Sequence, residues 1–229
     1  MEWEVIYKWL PKFFQGAVLT LELVGIAVIL GLLLAIPLGI ARSSKLWFVR
    51  AFPYAYIFFF RGTPLLVQLF LVYYGLAQFD AVRDSFMWPY LREPFWCAVA
   101  TMTLHTAAYI AEILRGAIQA IPPGEIEAAR ALGMSKAKAL FYIVLPRAAR
   151  IGLPAYSNEV ILMLKASSLA STVTLLELTG ITRTIIARNY LTVDMFFTAG
   201  VIYLLMSFVL VQAFKQLERW LRVDACQGR

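Results

Sequence analysis

The sequence predicts an all-α polytopic membrane protein with five transmembrane helices, and three observations carry that prediction. Hydrophobic residues occupy 61% of the 229 positions and charged residues only 15%, where a soluble domain carries about 25% charge. Several apolar runs reach the roughly 20 residues that cross a hydrocarbon core of about 30 Å at 1.5 Å per residue. Mean hydropathy is +0.73, in the membrane range. An ordinary cytosolic enzyme, a disordered regulator and a disulfide-stapled secreted module are thereby excluded. Cys97 and Cys226 are the two cysteines. Neither has metal-ligand spacing, so no metal site is expected.

Met1-Glu2-Trp3-Glu4 lacks the basic n-region of a cleavable signal, and no small-residue cleavage site follows a short apolar core, so the first apolar run is expected to stay in the mature chain. That run, Phe13 to Ile40, is the first span. The second runs from Phe52 to Ala77, the third from Phe95 to Ile118, the fourth from Ile151 to Leu169 and the fifth from Met195 to Phe214. Residues 166–190 leave room for a re-entrant piece. The chain reads as a single transmembrane domain over residues 1–229.

An odd number of spans puts the termini on opposite sides, and the loop cations choose which. One set of segments holds 13 of the 21 lysines and arginines and the alternate set 6, with Arg61 and Lys165 inside spans. The richer set is expected to be cytoplasmic, placing the N-terminus outside and the C-terminus inside. The net charge of +7 is therefore topological, and nucleic-acid binding is not expected.

The segment 123–146, between spans three and four, is charged and helical in pattern. Pro122-Pro123 stops span three, and Pro123 suits the first position of a new helix. Glu125 and Glu127 fall in its first turn and Arg130 near its end, as the helix dipole favours. Gly133 fits the residue just past a helix, Ser135 can cap a second helix through Tyr142, and Pro146 is expected to end that one. Such an object is either a solvated connector or a docking element for a soluble partner.

Three motifs now carry a resemblance. Glu127-Ala128-Ala129, Gly133 and Ile143-x-Leu145-Pro146 reproduce the EAA---G---------I-LP pattern at full spacing. Phe60 to Gln68 is similar to the second-span signature of polar amino acid permeases, and Ala111 to Ile118 to their third-span signature. Gly124–Ala131 and Leu153–Leu162 resemble the M-type subunits of histidine/lysine/arginine/ornithine permeases. Over nearly its whole length the chain resembles the membrane subunit of a bacterial ATP-binding-cassette importer with the type I fold. The resemblance implies a multi-pass subunit of the bacterial inner membrane that translocates a basic or polar amino acid handed over by a periplasmic binding protein. It implies two cytoplasmic ATPase subunits and a second permease subunit, a Q-type homologue or a second copy. It assigns coupling to Glu127, Ala128, Ala129, Gly133, Ile143, Leu145 and Pro146. The chain has no G-x-x-x-x-G-K-[ST] phosphate loop, so no cofactor is expected on it; ATP and Mg would be held by the ATPase, and the chain is not itself an enzyme.

Ionisable groups at membrane depth are expensive, from about 2.5 kcal/mol upward, and each needs a reason. Arg61-Gly62-Thr63-Pro64 should break span two, because Pro64 cannot donate to the Phe60 carbonyl. Hinge and solute contact both remain open for this segment. His105, Tyr109, Glu112 and Gly116 share a face of span three; His105 reads as a hydrogen-bonded packing residue, and Glu112 can pair with Arg115. Glu159 lies about 14 Å along the helix from Arg150, near mid-depth, with Asn158 beside it and Lys165 too far round to neutralise it. A carboxylate so placed suggests a cation-binding site. The candidate solute pathway is therefore Glu159, Asn158, Arg61, Thr63, Gln68, Tyr109 and Glu112. Lys165–Ser171, rich in small residues, reads as a packing surface; by the resemblance it lies near the dimer interface and external gate. Tryptophans and tyrosines near the span ends read as interfacial anchors. A non-transporting scaffold that recruits an ATPase is the alternative, but it needs no charged residues in its spans. A self-sufficient carrier fits poorly, because no internal repeat is present.

Overall fold

A computed structural model describes residues 2–221, all helices and short connections with no strand among them. Arg222 and Arg229, on which the orientation reading partly leans, and Cys226 lie outside the described residues. Helix α1 (Trp3–Arg42) has 40 residues, about 60 Å of helix. It starts at Trp3, well before the expected Phe13, because Ile6 and Phe13 are buried and continue its inward face. The third span is α6 (Pro94–Gln119), and the last helix is α11 (Thr192–Leu221). These three are each long and apolar enough to cross a membrane alone.

Two bent helix pairs are jointly long and apolar enough as well, and the number is five when each pair is counted as one span. The first joins α2 (Trp47–Gly62) to α3 (Leu65–Phe70), which continues through a π turn (Leu71–Gly75) and a 3-10 turn (Leu76–Gln78); the two arms meet at 103°. Short helices α4 (Asp80–Arg83) and α5 (Trp88–Leu91) lead on to α6. The loop after α6 holds α7 (Pro123–Ala131) and α8 (Lys136–Ala139). The second pair begins at α8 and runs through a π turn (Leu140–Val144), α9 (Leu145–Ala166) and a 3-10 segment (Ser167–Val173). It then bends by 50° into α10 (Leu178–Asn189).

Here one expectation fails. Pro146 does not end the helix that Ser135 starts; the helix passes through it into span four. Proline in a regular α-helix clashes with the carbonyl four residues back. The π turn immediately before Pro146 widens the backbone there, and Pro146 takes a first-turn position of α9, where its missing N–H costs little.

Helices α1 and α6 form the spine. Small residues recur every fourth position on α1 (Ala27, Gly31, Ala35, Gly39), and all four are buried. Gly31 meets Thr106 and Ala107 of α6, and Gly39 meets Ala111. A Cβ at Gly39 would stand 3.0 Å from the Ala111 carbonyl oxygen, and one at Gly31 would collide with the Thr106 methyl group. Small residues at this spacing let membrane helices approach to backbone contact. The main core lies where α1, α6, α9 and α10 converge, around Leu23, Met102, Leu164 and Leu178. Helix α11 packs on it by one edge and presents Phe197, Leu204 and Phe208 outward, as a membrane-facing helix should.

Candidate functional site

The first site grows from the break in span two. Pro64 supplies no N–H, and Thr63, forced extended by the proline after it (φ −118°, ψ 142°), leaves the helix. The Phe60 carbonyl is orphaned. Gln68, one turn into α3 and only 3% exposed, answers it: its Nε2 donates to the carbonyl oxygens of Phe60 (2.9 Å) and Thr63 (3.0 Å) and lies 2.8 Å from Thr63 Oγ1. Thr63 Oγ1 in turn donates to the Phe59 carbonyl at 2.9 Å. On its other side Gln68 Oε1 meets His105 Nδ1 at 3.0 Å. His105 thus locks the break to α6, in keeping with a hydrogen-bonded packing role.

From there a chain of contacts leads to a cleft. The His105 ring lies on Tyr109 (centroids 4.9 Å), and the Arg61 guanidinium sits 5.2 Å over the Tyr109 ring, a cation–π arrangement. Arg61, exposed, opens on a cleft of about 310 Å³ lined also by Arg42, Tyr54 and Glu112. Arg115 donates twice to Glu112 Oε1, from Nε (2.8 Å) and a terminal nitrogen (2.5 Å). Glu112 Oε2 is enclosed and has no hydrogen-bond partner among the described residues. The cleft therefore brings two arginines and a glutamate from three helices together with the rings of Tyr54 and Phe58. Such a lining suits a solute carrying both an ammonium and a carboxylate.

Glu159 sits deeper, between α9 and α6, at 6% exposure. Thr106 Oγ1 donates to its Oε1 at 3.2 Å. Asn158 points outward and is exposed, as is Lys165. The predicted pathway residues thus divide. Arg61, Thr63, Gln68, Tyr109 and Glu112 are brought together around the break and its cleft; Glu159 lies one helix away, and Asn158 faces off the protomer.

Sequence reasoning missed Glu177. Fully buried, it caps the N-terminus of α10, accepting from the backbone N–H groups of Thr179 and Gly180 (2.9 Å each) and from the Tyr203 hydroxyl (2.9 Å). Glutamate is an uncommon cap, so the only signal was an acidic residue just ahead of Leu-Thr-Gly.

The loop forms the second element. Pro123 opens α7, and Gly133 takes φ +81° after its end. Gly133 N–H donates to the Arg130 carbonyl (3.0 Å) and Met134 N–H to that of Ala129 (3.1 Å). This is the paired bond pattern of a Schellman stop, which needs a left-handed residue at Gly133. Ser135 Oγ then accepts from Lys138 N–H at 3.3 Å to start the next helix. Arg147 to Glu125, 3.3 Å apart, ties α7 to the foot of α9. The motif residues face two ways. Ala129 is buried on the loop's small core, Ile143 and Leu145 are half-buried, and Glu127, Ala128, Gly133 and Pro146 are exposed beside Leu132, which is 86% exposed.

The family described as the binding-protein-dependent transport system inner membrane component matches residues 27–223. The octopine transport system permease protein OccM of Rhizobium radiobacter is 51% identical over 93% of this chain and 87% of its own length. The histidine/lysine/arginine/ornithine transport system permease protein HisM of Salmonella typhimurium is 44% identical over 91% of this chain and 90% of its own. A crystal structure of an amino acid ABC transporter with histidines superposes with a TM-score of 0.84 at 33% identity, covering 96% of this chain and 98% of that one. An inward-facing structure of the MetNI methionine ABC transporter shares the fold, with a TM-score of 0.78 at 18% identity over 94% and 99% of the two chains. The chain belongs to the binding-protein-dependent transport inner membrane component family, as a multi-pass inner-membrane permease subunit of a polar amino acid ABC importer.

Proposed function

We propose that this subunit passes a basic amino acid (histidine, arginine, lysine or ornithine) from a periplasmic binding protein into the cytoplasm, driven by ATP hydrolysed on separate subunits. The observation that carries the reading is the loop over residues 123–146. Its Schellman stop fixes α7 against α8 while Glu127, Ala128 and Leu132 remain exposed, an arrangement suited to seating in a groove of a soluble partner. Two cytoplasmic ATPases would dock on this loop and its counterpart on a second permease subunit, a Q-type homologue or a second copy. ATP and Mg belong to those ATPases, with no cofactor on this chain. The N-terminus is periplasmic and the C-terminus cytoplasmic in this reading, and the whole of 1–229 acts as one transmembrane domain.

The solute path runs past the cleft at Arg61, Thr63, Tyr109 and Glu112, with Gln68 holding the break open and Glu159 and Asn158 deeper along α9. A cationic solute needs its charge balanced in a low-dielectric path, and carboxylates at Glu112 and Glu159 supply that balance. The 51% identity to an octopine permease favours a second reading, in which the solute is octopine or a similar compound. Gly133→Val tests the coupling: its φ of +81° excludes a β-branched residue. The variant should insert normally, lose the co-purifying ATPase and abolish uptake. Normal uptake at normal abundance removes the coupling role. Competition of labelled arginine uptake by lysine, histidine, ornithine and octopine separates the two solute readings.

A further inference from the structure

Two cavities on the outside of the spine, away from the Arg61 cleft, lie end to end. The first, about 350 Å³, is a groove between α1, α6 and α9 with an almost wholly apolar lining. The second, about 420 Å³, opens where α1 and α6 meet the 123–146 loop and the π turn ahead of α9. On α1 and α6 the lining of one passes to that of the other within about one turn, Ile36 to Ile40 and Leu114 to Ile118, and Leu145 of the first adjoins Val144 of the second in the chain. The character changes along this path. The groove begins at Leu32, whereas the far mouth carries the hydroxyls of Ser43 and Ser44 and the cations Arg130 and Lys136. Both cations are exposed, and neither forms an ion pair among the described residues.

The dimensions fit one leaflet of a bilayer. Leu32 to Ser44 spans about 18 Å of chain at helical rise, against about 15 Å for half a hydrocarbon core. Apolar groove at depth, hydroxyls and two cations at the surface, is the chemistry of an anionic phospholipid: acyl chain inside, phosphate at the mouth. We propose that this seam holds a structural anionic phospholipid, its headgroup bound by Arg130 and Lys136 and its chain lying along Leu32, Ile36 and Gly152. Arg130 is the last charged residue of α7 and Lys136 the first residue of α8. The lipid therefore bridges the two helices that the Gly133 turn joins, and the charge of the leaflet bears on the angle between them. The inference does not depend on which solute is carried or on which side the loop faces.

Native mass spectrometry of the purified full chain, delipidated and titrated with phosphatidylglycerol or phosphatidylcholine, tests this directly. Phosphatidylglycerol should be retained about tenfold more tightly. The double substitution Arg130→Gln, Lys136→Gln should abolish that difference and leave the residual phosphatidylcholine binding. Ala149→Phe, which fills the exposed apolar groove, should lower retention of both lipids. Membrane abundance of each variant guards against a folding defect, and the charge variant, on the exposed loop, keeps the test informative if Ala149→Phe is poorly made. Equal retention of the two lipids by the native chain overturns the proposal. So does undiminished phosphatidylglycerol retention in the double variant, or its loss when the ATPase subunits assemble on the loop.

Discussion

The two bent spans solve opposite problems. At Gly62–Pro64 the chain turns by 103° because a proline removes a donor, and the group left over is an acceptor, the Phe60 carbonyl. At Thr174–Glu177 it turns by 50° with no proline; Thr174 adopts φ 66°, and the groups left over are donors, the first N–H groups of α10. Each break recruits the matching side chain. An amide NH₂ from Gln68 serves the first, and a carboxylate from Glu177 the second, where the positive end of the helix dipole adds to the bond energy. The anchors differ as well. Gln68 is tied to another span through His105 beside a solvent-accessible cleft, whereas Glu177 is sealed and tied to α11 through Tyr203. A helix can be broken inside a membrane only when its orphaned polarity is met, and the sign of that polarity dictates the residue.

The largest expected effect follows from removing the sealed cap. Glu177→Leu strips three donors of their acceptor at once and should destabilise by about 3 kcal/mol or more, read as a fall in thermal midpoint in detergent and in membrane abundance. A wild-type midpoint would erase the distinction between the two breaks. Next comes Gln68→Leu, costing about 1–3 kcal/mol because the Phe60 and Thr63 carbonyls and His105 lose their partner while cleft water can partly serve them. Adding Pro64→Ala should recover part of that loss by restoring the missing N–H; if the double variant is no better, the proline is not what the amide compensates. Smaller again is Glu159→Gln, expected to leave abundance intact and reduce uptake of cationic amino acids by about tenfold, about 1.4 kcal/mol. Unchanged uptake rate and affinity would withdraw Glu159 from the pathway. Least is Glu177→Gln, about 1 kcal/mol by thermal midpoint: its amide oxygen can keep the Thr179 and Tyr203 bonds that Oε2 accepts, while the Gly180 N–H loses its acceptor and the charge is gone.

Local chemistry explains which of these features could be read from the amino-acid order. The loop was legible in detail because Pro123, Gly133 and Ser135 each act on their own neighbours, and the caps they predict need no distant partner. The break at Pro64 was legible for the same reason. That Gln68 closes it was not, because an amide eight residues from Phe60 meets it only after the chain has bent by 103°. Glu177 escaped notice because its meaning comes from Tyr203, 26 residues on. The four-residue spacing of Ala27, Gly31, Ala35 and Gly39 was present to be read, yet small residues on an apolar helix also suit a lipid-facing surface; only the contact with Thr106 and Ala111 decides. Pro146 misled because a widened turn cannot be inferred from Leu-Phe-Tyr-Ile-Val.

That widened turn makes the loop and the span a matter of phase. A π turn holds one residue more than the α-helical path requires, so deleting a single residue between Leu140 and Val144 would let the backbone relax into regular α-helix. The α8 side would then keep its phase relative to α9, because the residue removed is the one the wider turn absorbs; forcing the undeleted segment into regular α-helix would instead rotate that side by about 100° and shift it by about 1.5 Å. Lys136 and the Gly133 elbow would swing round the axis while Glu159 stayed where it is. The angle between loop and span is thus held by a count, one surplus residue absorbed in one widened turn.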